Sequence, residues 1–134
     1  MKRWGLFLLR VSTGWLLVLW GLDKLLNVDH SLQVAEAYYF GIGTSRVFLG
    51  AFGVLEALLG VCVVLGVWRR RLYPAVVAIL AVTAIGVWRS ILDPWGWFLE
   101  GSNVLFYPSL IIVAAALTLW GTIDDDTLVL EARR

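Results

Sequence analysis

Long apolar stretches at 4–26, 47–68, 72–92 and 104–121 alternate with short segments that hold most of the charges. Wound as α-helix, each stretch reaches roughly 27–35 Å, enough to cross the hydrocarbon of a bilayer with modest tilt. None shows the period-two alternation of a membrane β-barrel strand. Helices satisfy their own backbone hydrogen bonds in lipid. The pattern therefore predicts an all-α membrane protein, a four-transmembrane-helix bundle. Arg69, Arg70 and Arg71 are all that separates the second and third stretches, which predicts a tight antiparallel hairpin. Pro74 falls in the first turn of the third helix, where a missing N–H costs little.

Composition agrees with this frame. The chain has 134 residues, 60% hydrophobic and only 16% charged, more apolar surface than one soluble core of this size can hide. Its net charge of +1 is scattered over span ends and offers no face for nucleic acid. Met1-Lys2-Arg3 imitates the start of a signal peptide, but the apolar run after it is too long and no small-x-small site follows. It reads as a retained first span. Lys2, Arg3, Arg69, Arg70, Arg71, Arg133 and Arg134 all fall at one end of the spans. The positive-inside rule makes that end cytoplasmic, which puts both termini inside and the chain in the cell (inner) membrane as a multi-pass protein. Trp4, Trp68 and Trp120 then mark the inner interface, and Trp20, Trp88, Trp95 and Trp97 the outer one.

Residues 1–121 thus form the transmembrane domain and 122–134 a polar cytoplasmic tail, partly extended, with Asp124-Asp125-Asp126 in it. The outer segment 27–46 predicts a short amphipathic interfacial helix near 31–40. In the other outer segment, 93–103, Pro94 ends the third helix and Trp95 and Trp97 lie at headgroup level.

Charges inside the frame are the candidate chemistry. Glu56 sits near the middle of a stretch with no other ionisable group, where a lone carboxylate costs roughly 2.5–3.5 kcal/mol on insertion scales. It needs a partner, a proton or water. Gly53, Ala57 and Gly60 share nearly one face with it, and Gly14 and Gly21 give the first helix a matching seam, so these two helices should pack closely. Ser12, Thr13, Trp15 and Thr83 are polar candidates at its depth. Arg10, Lys24 and Arg89 are its candidate basic partners, Arg10 inward and the others outward. Arg10 reads equally as a snorkelling anchor. Asp23 and Asp93 read as structural ion-pair candidates, Asp93 with Arg89 at i, i+4 on one helix face.

Other chemistries find little support. His30 is a lone loop histidine, more often surface than ligand, and no metal site is expected. Cys62 is single, which excludes an intrachain disulfide or a CxxC pair and reads as packing. One histidine and one cysteine cannot supply bis-histidine haem or an iron–sulfur cluster. No phosphate loop or hydrolase set appears.

The run Leu9-Arg10-Val11-Ser12-Thr13-Gly14, continuing to Trp20-Gly21-Leu22-Asp23-Lys24-Leu25, resembles the first helix of DoxX-like membrane proteins. Glu56 followed by Leu59-Gly60 and Leu65-Gly66 is similar to the family's second helix. By that resemblance Arg10, Lys24 and Glu56 occupy the family's charged positions. Relatives are linked to redox assemblies, including a thiosulfate:quinone oxidoreductase and a complex with superoxide dismutase and a sulfurtransferase. The resemblance thus implies a small subunit of a redox or respiratory-chain-associated assembly. It would have no intrinsic cofactor and no nucleophile of its own, and would act at most as part of an oxidoreductase. An apolar pocket around Glu56 would suit a quinone. The alternatives are a non-catalytic structural or assembly subunit and, third, a small proton-coupled carrier. Expected partners are the lipid bilayer, other membrane or peripheral subunits, and a homo-oligomeric copy.

Overall fold

The computed structural model describes residues 1–41 and 45–130. Its elements are α1 (Lys2–Leu26), α2 (Val28–Tyr38), α3 (Arg46–Leu65), α4 (Arg69–Gly86), α5 (Trp88–Leu92) and α6 (Ser109–Gly121), with a 3₁₀ turn at Val104–Phe106 before α6. No strand occurs among the described residues. Arg133, Arg134 and residues 42–44 lie outside the described residues.

Three segments among the described residues are long and apolar enough to cross a membrane: Lys2–Leu26, Arg46–Leu65 and Val104–Gly121. The third expected span is shaped differently from its prediction. α4 stops at Gly86, and α5 resumes after Val87. The three arginines are not the connection either. They form the first turn of α4, and the reversal is made by Gly66, Val67 and Trp68. Gly66 takes the left-handed conformation (φ 69°), and the N–H groups of Gly66 and Val67 return to carbonyls of the last turn of α3. That is the usual helix stop built on a left-handed residue. With the helix starting at Arg69, Pro74 falls in its second turn rather than its first.

The short helix predicted near 31–40 exists as α2, Val28–Tyr38. A single residue, Asn27, joins it to α1, and the Asn27 amide also donates to Asp23 Oδ1 at 2.8 Å.

α1 packs most extensively on α3, and α4 on α6. The glycines explain the first pairing. A Cβ on Gly14 would lie 2.8 Å from the Gly60 carbonyl oxygen, and one on Gly21 only 2.5 Å from that of Gly53. The reverse approaches, Gly60 to Gly14 and Gly53 to Gly21, are equally close. Backbone rests on backbone, as small residues permit between helices in lipid. The sequential matches, 14 with 60 and 21 with 53, make the pair antiparallel.

A common core draws on α1 (Leu17), α3 (Val63), α4 (Tyr73, Val76, Leu80) and α6 (Ala116, Leu119), closed by Ile123. Large apolar residues on the opposite faces, such as Leu8, Trp15, Leu55, Leu58, Ile85 and Ile111, stay exposed. Lipid is as apolar as leucine, so such faces cost nothing in a bilayer.

The tail differs from the extended expectation. Ile123 joins the core, Asp126 is buried, and the Leu130 N–H donates to the Leu65 carbonyl at 3.1 Å.

Candidate functional site

Glu56 lies midway along α3 and is 2% exposed. Its partner is Lys24, whose Nζ stands 2.6 Å from Oε2. Lys24 belongs to the last turn of α1 and reaches across to Glu56 near the middle of α3. The glycine seam makes the path. Lys24 Cβ passes where a side chain on Gly53 would be, 2.9 Å from that ideal Cβ position, and Gly53 is one helical turn from Glu56. The ammonium also donates to the Trp20 carbonyl at 3.3 Å and sits 5.5 Å from the centre of the Phe52 ring. The lysine side chain keeps 21% exposure while the carboxylate keeps 1%. The pair is thus closed at the acid and partly open at the base.

Two further polar groups adjoin it. Tyr39 ends α2 and lays its ring against Gly86 of α4, where an added Cβ would be 2.8 Å from Cε1. Its hydroxyl faces Thr83. Burial holds the Tyr39 phenol above its ordinary pKa, with the Glu56 charge acting in the same direction, so it is a donor at neutral pH. Thr83 donates to the Ile79 carbonyl at 3.0 Å, which leaves its oxygen free to accept. Tyr39 thus lies within electrostatic reach of Glu56 and beside Thr83, which draws polar groups of α1, the end of α2, α3 and α4 into one region.

Arg10 goes elsewhere. It is 1% exposed and neither snorkels nor meets Glu56. Its Nε donates to Asp126 Oδ2 at 2.8 Å, Nη1 to the Val63 carbonyl at 3.1 Å and to that of Val64, and Nη2 to the Leu128 carbonyl. One planar fork thus ties α1 to the end of α3 and to the tail. Arg69 adds bonds to the carbonyls of Ile123 (2.7 Å) and Asp126 (3.0 Å). Asp124 pairs with Arg70 at 2.6 Å, and Asp125 with Lys2 at 2.7 Å. The acid triplet is a clasp, each carboxylate taking a base from α1 or α4. Beside it an open cleft of about 470 Å³ runs along Phe7, Arg10 and Leu65, with Thr127 to Leu130 on its other wall.

The expected Arg89–Asp93 ion pair is not formed. Asp93 instead accepts from the backbone N–H groups of Trp97 (3.1 Å), Phe98 (2.7 Å) and Leu99 (2.8 Å). The Phe98 bond leads, with those of its neighbours, in holding this carboxyl below its ordinary pKa despite burial. An aspartate just past a helix satisfies turn donors more cheaply than it meets a flexible arginine. Arg89 donates to the Glu100 carbonyl at 3.3 Å and lies 5.6 Å from the Trp88 ring centre. Asp23 takes the Asn27 amide and His30 Nδ1 (2.9 Å) at the surface and does not pair with a basic residue of the spans. Of the polar candidates near Glu56, Ser12 bonds its own helix and Trp15 faces outward. Thr13 is buried on α1.

Sequence reasoning missed Asp126, Arg69 and Tyr39. For Asp126 a signal existed: three acids follow the last apolar stretch at the end where bases gather. For Tyr39 none did, because its place depends on where α2 stops. Among the described residues no three His, Cys, Asp or Glu side chains are grouped to hold a metal ion.

Apolar helices with charges paired inside them define a multi-spanning helical membrane protein. Residues 5–90 match the DoxX family model, and the chain belongs to the DoxX family. The match takes in Arg10, Lys24, Tyr39, Glu56 and Thr83 but ends before α6 and Asp126. No curated protein and no solved structure matches the chain.

Proposed function

We propose that this DoxX protein is a small subunit of a redox or respiratory-chain-associated assembly in the cell membrane. In this reading α1, α3, α4 with α5, and α6 form a four-helix transmembrane bundle with both termini cytoplasmic. The Lys24–Glu56 pair is the headgroup site for a quinone. The observation that carries this is the asymmetry of the pair: a closed carboxylate held against a partly open ammonium, inside an apolar segment. A quinone offers carbonyl acceptors for the lysine N–H groups, and as it is reduced the Lys24 ammonium would pass a proton to it and regain one by way of Glu56. Its isoprenoid tail needs only the apolar outer faces of α1 and α3. Electrons would come from a partner subunit.

The second reading, a structural subunit without chemistry, is favoured by the saturation of Arg10, whose fork spends itself on internal acceptors. Native purification separates the two. A redox subunit co-purifies with an oxidoreductase whose quinone reduction falls at least tenfold in Glu56→Gln with assembly intact. Unchanged turnover in Glu56→Gln would leave only the structural role. Reporter fusions at both termini test the topology, and an external signal from either would refute it.

A further inference from the structure

Tyr39 is placed by an uncommon piece of backbone. α2 stops there because Phe40 and Gly41 both take left-handed φ values, 55° and 75°. The N–H groups of Tyr39 and Gly41 both turn back to the Ala35 carbonyl, at 3.0 and 3.1 Å. A left-handed glycine is ordinary, whereas a bulky left-handed phenylalanine is not. The Phe40 side chain is 92% exposed, so its own packing does not select that conformation. What the reversal achieves is the seating of its neighbour: the Tyr39 ring lies on the bare backbone of Gly86. Its hydroxyl rests toward Thr83, whose own proton is committed to Ile79.

We propose that Tyr39 is the second hydrogen-bond donor of the Lys24–Glu56 site, directing its O–H to a carbonyl of the quinone headgroup. The proposal rests on the quinone reading above. Lys24 reaches Glu56 from α1, and Tyr39 lies within electrostatic reach of the same carboxylate from the junction of α2 and α4, so the two donors belong to different elements. Thr83 accepts the phenol proton while the site is empty, and the O–H rotates to the ligand when it arrives. The ring itself need not move. Its seat on Gly86 fixes it beforehand, which lowers the ordering cost of binding. Tyr39 is here a positioning donor and no electron or proton transfer is assigned to it.

The test uses the full chain in phospholipid nanodiscs, titrated with decylubiquinone and followed by tryptophan quenching. Infrared spectra of the bound quinone labelled with carbon-13 at its carbonyls supply a second signal. Tyr39→Phe should weaken binding about tenfold, the worth of one good hydrogen bond. It should also return one carbonyl stretch toward the free value. Gly86→Ala, which keeps the hydroxyl but displaces the ring, should weaken binding similarly. If Tyr39→Phe binds with wild-type affinity and an unchanged carbonyl spectrum, the proposal is overturned while the quinone site survives. If the folded wild type shows no saturable binding, the quinone reading falls and this proposal with it. Should Tyr39→Phe fail to fold, Gly86→Ala and the wild-type spectrum decide: two free-like carbonyl stretches would exclude the donor.

Discussion

Asp124 and Asp126 sit two residues apart, carry the same charge and each meet an arginine, yet they should respond very differently to removal. The Asp124–Arg70 pair is open to solvent, with side-chain exposures of 82% and 75%, and the Asp126–Arg10 pair is closed, with 1% on each side. Exposed pairs contribute about 0–1 kcal/mol, whereas breaking a buried one costs about 3–5 kcal/mol because a charge is left without compensation. Asp126→Ala should therefore lower unfolding stability in mixed micelles by about 3–5 kcal/mol, and Asp124→Ala by less than about 1 kcal/mol. Equal losses would mean that Arg10 finds other compensation. Asp93 gives a pH-dependent case. Its carboxyl lies below the ordinary value when folded, so its contribution is complete above about pH 4. That contribution is lost as pH falls through the lower folded value. Emission from Trp95 and Trp97 should be constant from neutral pH down to about 4 and change below it. Asp93→Asn, which cannot hold three N–H groups as a carboxylate does, should abolish that acid transition.

The α1–α3 pair is fixed by where side chains are missing. Gly60→Ala puts a Cβ 2.6 Å from the Gly14 carbonyl oxygen and 2.7 Å from the Val18 nitrogen, both rigid backbone. The helices must separate, at a cost of about 1–3 kcal/mol typical of overpacking. Gly50 lies on the same helix with nothing within 4 Å of an added Cβ. Gly50→Ala should be neutral or stabilising by up to about 1 kcal/mol, since alanine is the better helix former. Thermal unfolding of both variants in one detergent checks the pair, and a harmless Gly60→Ala would deny the close contact. This seam was legible in the sequence, because Gly14 and Gly21 on one helix and Gly53 and Gly60 on another repeat at helical spacing. The depth and isolation of Glu56 were equally plain, and Lys24 was among its named partners. The rest depended on tertiary placement. Asp126 meets Arg10 across 116 positions, and an acid triplet read alone looks solvated. Arg89 and Asp93 have a helical ion-pair spacing, but α5 ends between them and the turn that follows offers Asp93 better donors. Hydropathy ran through Val87 and could not show the break between α4 and α5.

At the scale of the molecule, α1 is held to its neighbours at two separate points. Lys24 grips Glu56 near the C-terminal end of α1, and Arg10 grips α3 and the tail toward its N-terminal end. Fourteen residues of helix separate them, about 21 Å at the ordinary rise. They share no partner, and the glycine seam runs between them. Sites this far apart without common contacts usually add within about 0.5 kcal/mol, whereas members of one network do not. The losses from Glu56→Ala and Asp126→Ala should therefore sum in the double variant. The two anchors also differ in how far the family match covers them. The family match includes Lys24, Glu56 and Arg10 but stops short of Asp126, so the acid side of the tail clasp lies beyond it. On the proposed quinone reading, Asp126→Ala should weaken the fold while leaving decylubiquinone affinity near the wild-type value in molecules that remain folded. Glu56→Ala should affect both. A loss of quinone affinity in Asp126→Ala matching that in Glu56→Ala would instead make the two ends one coupled site, communicating along α1.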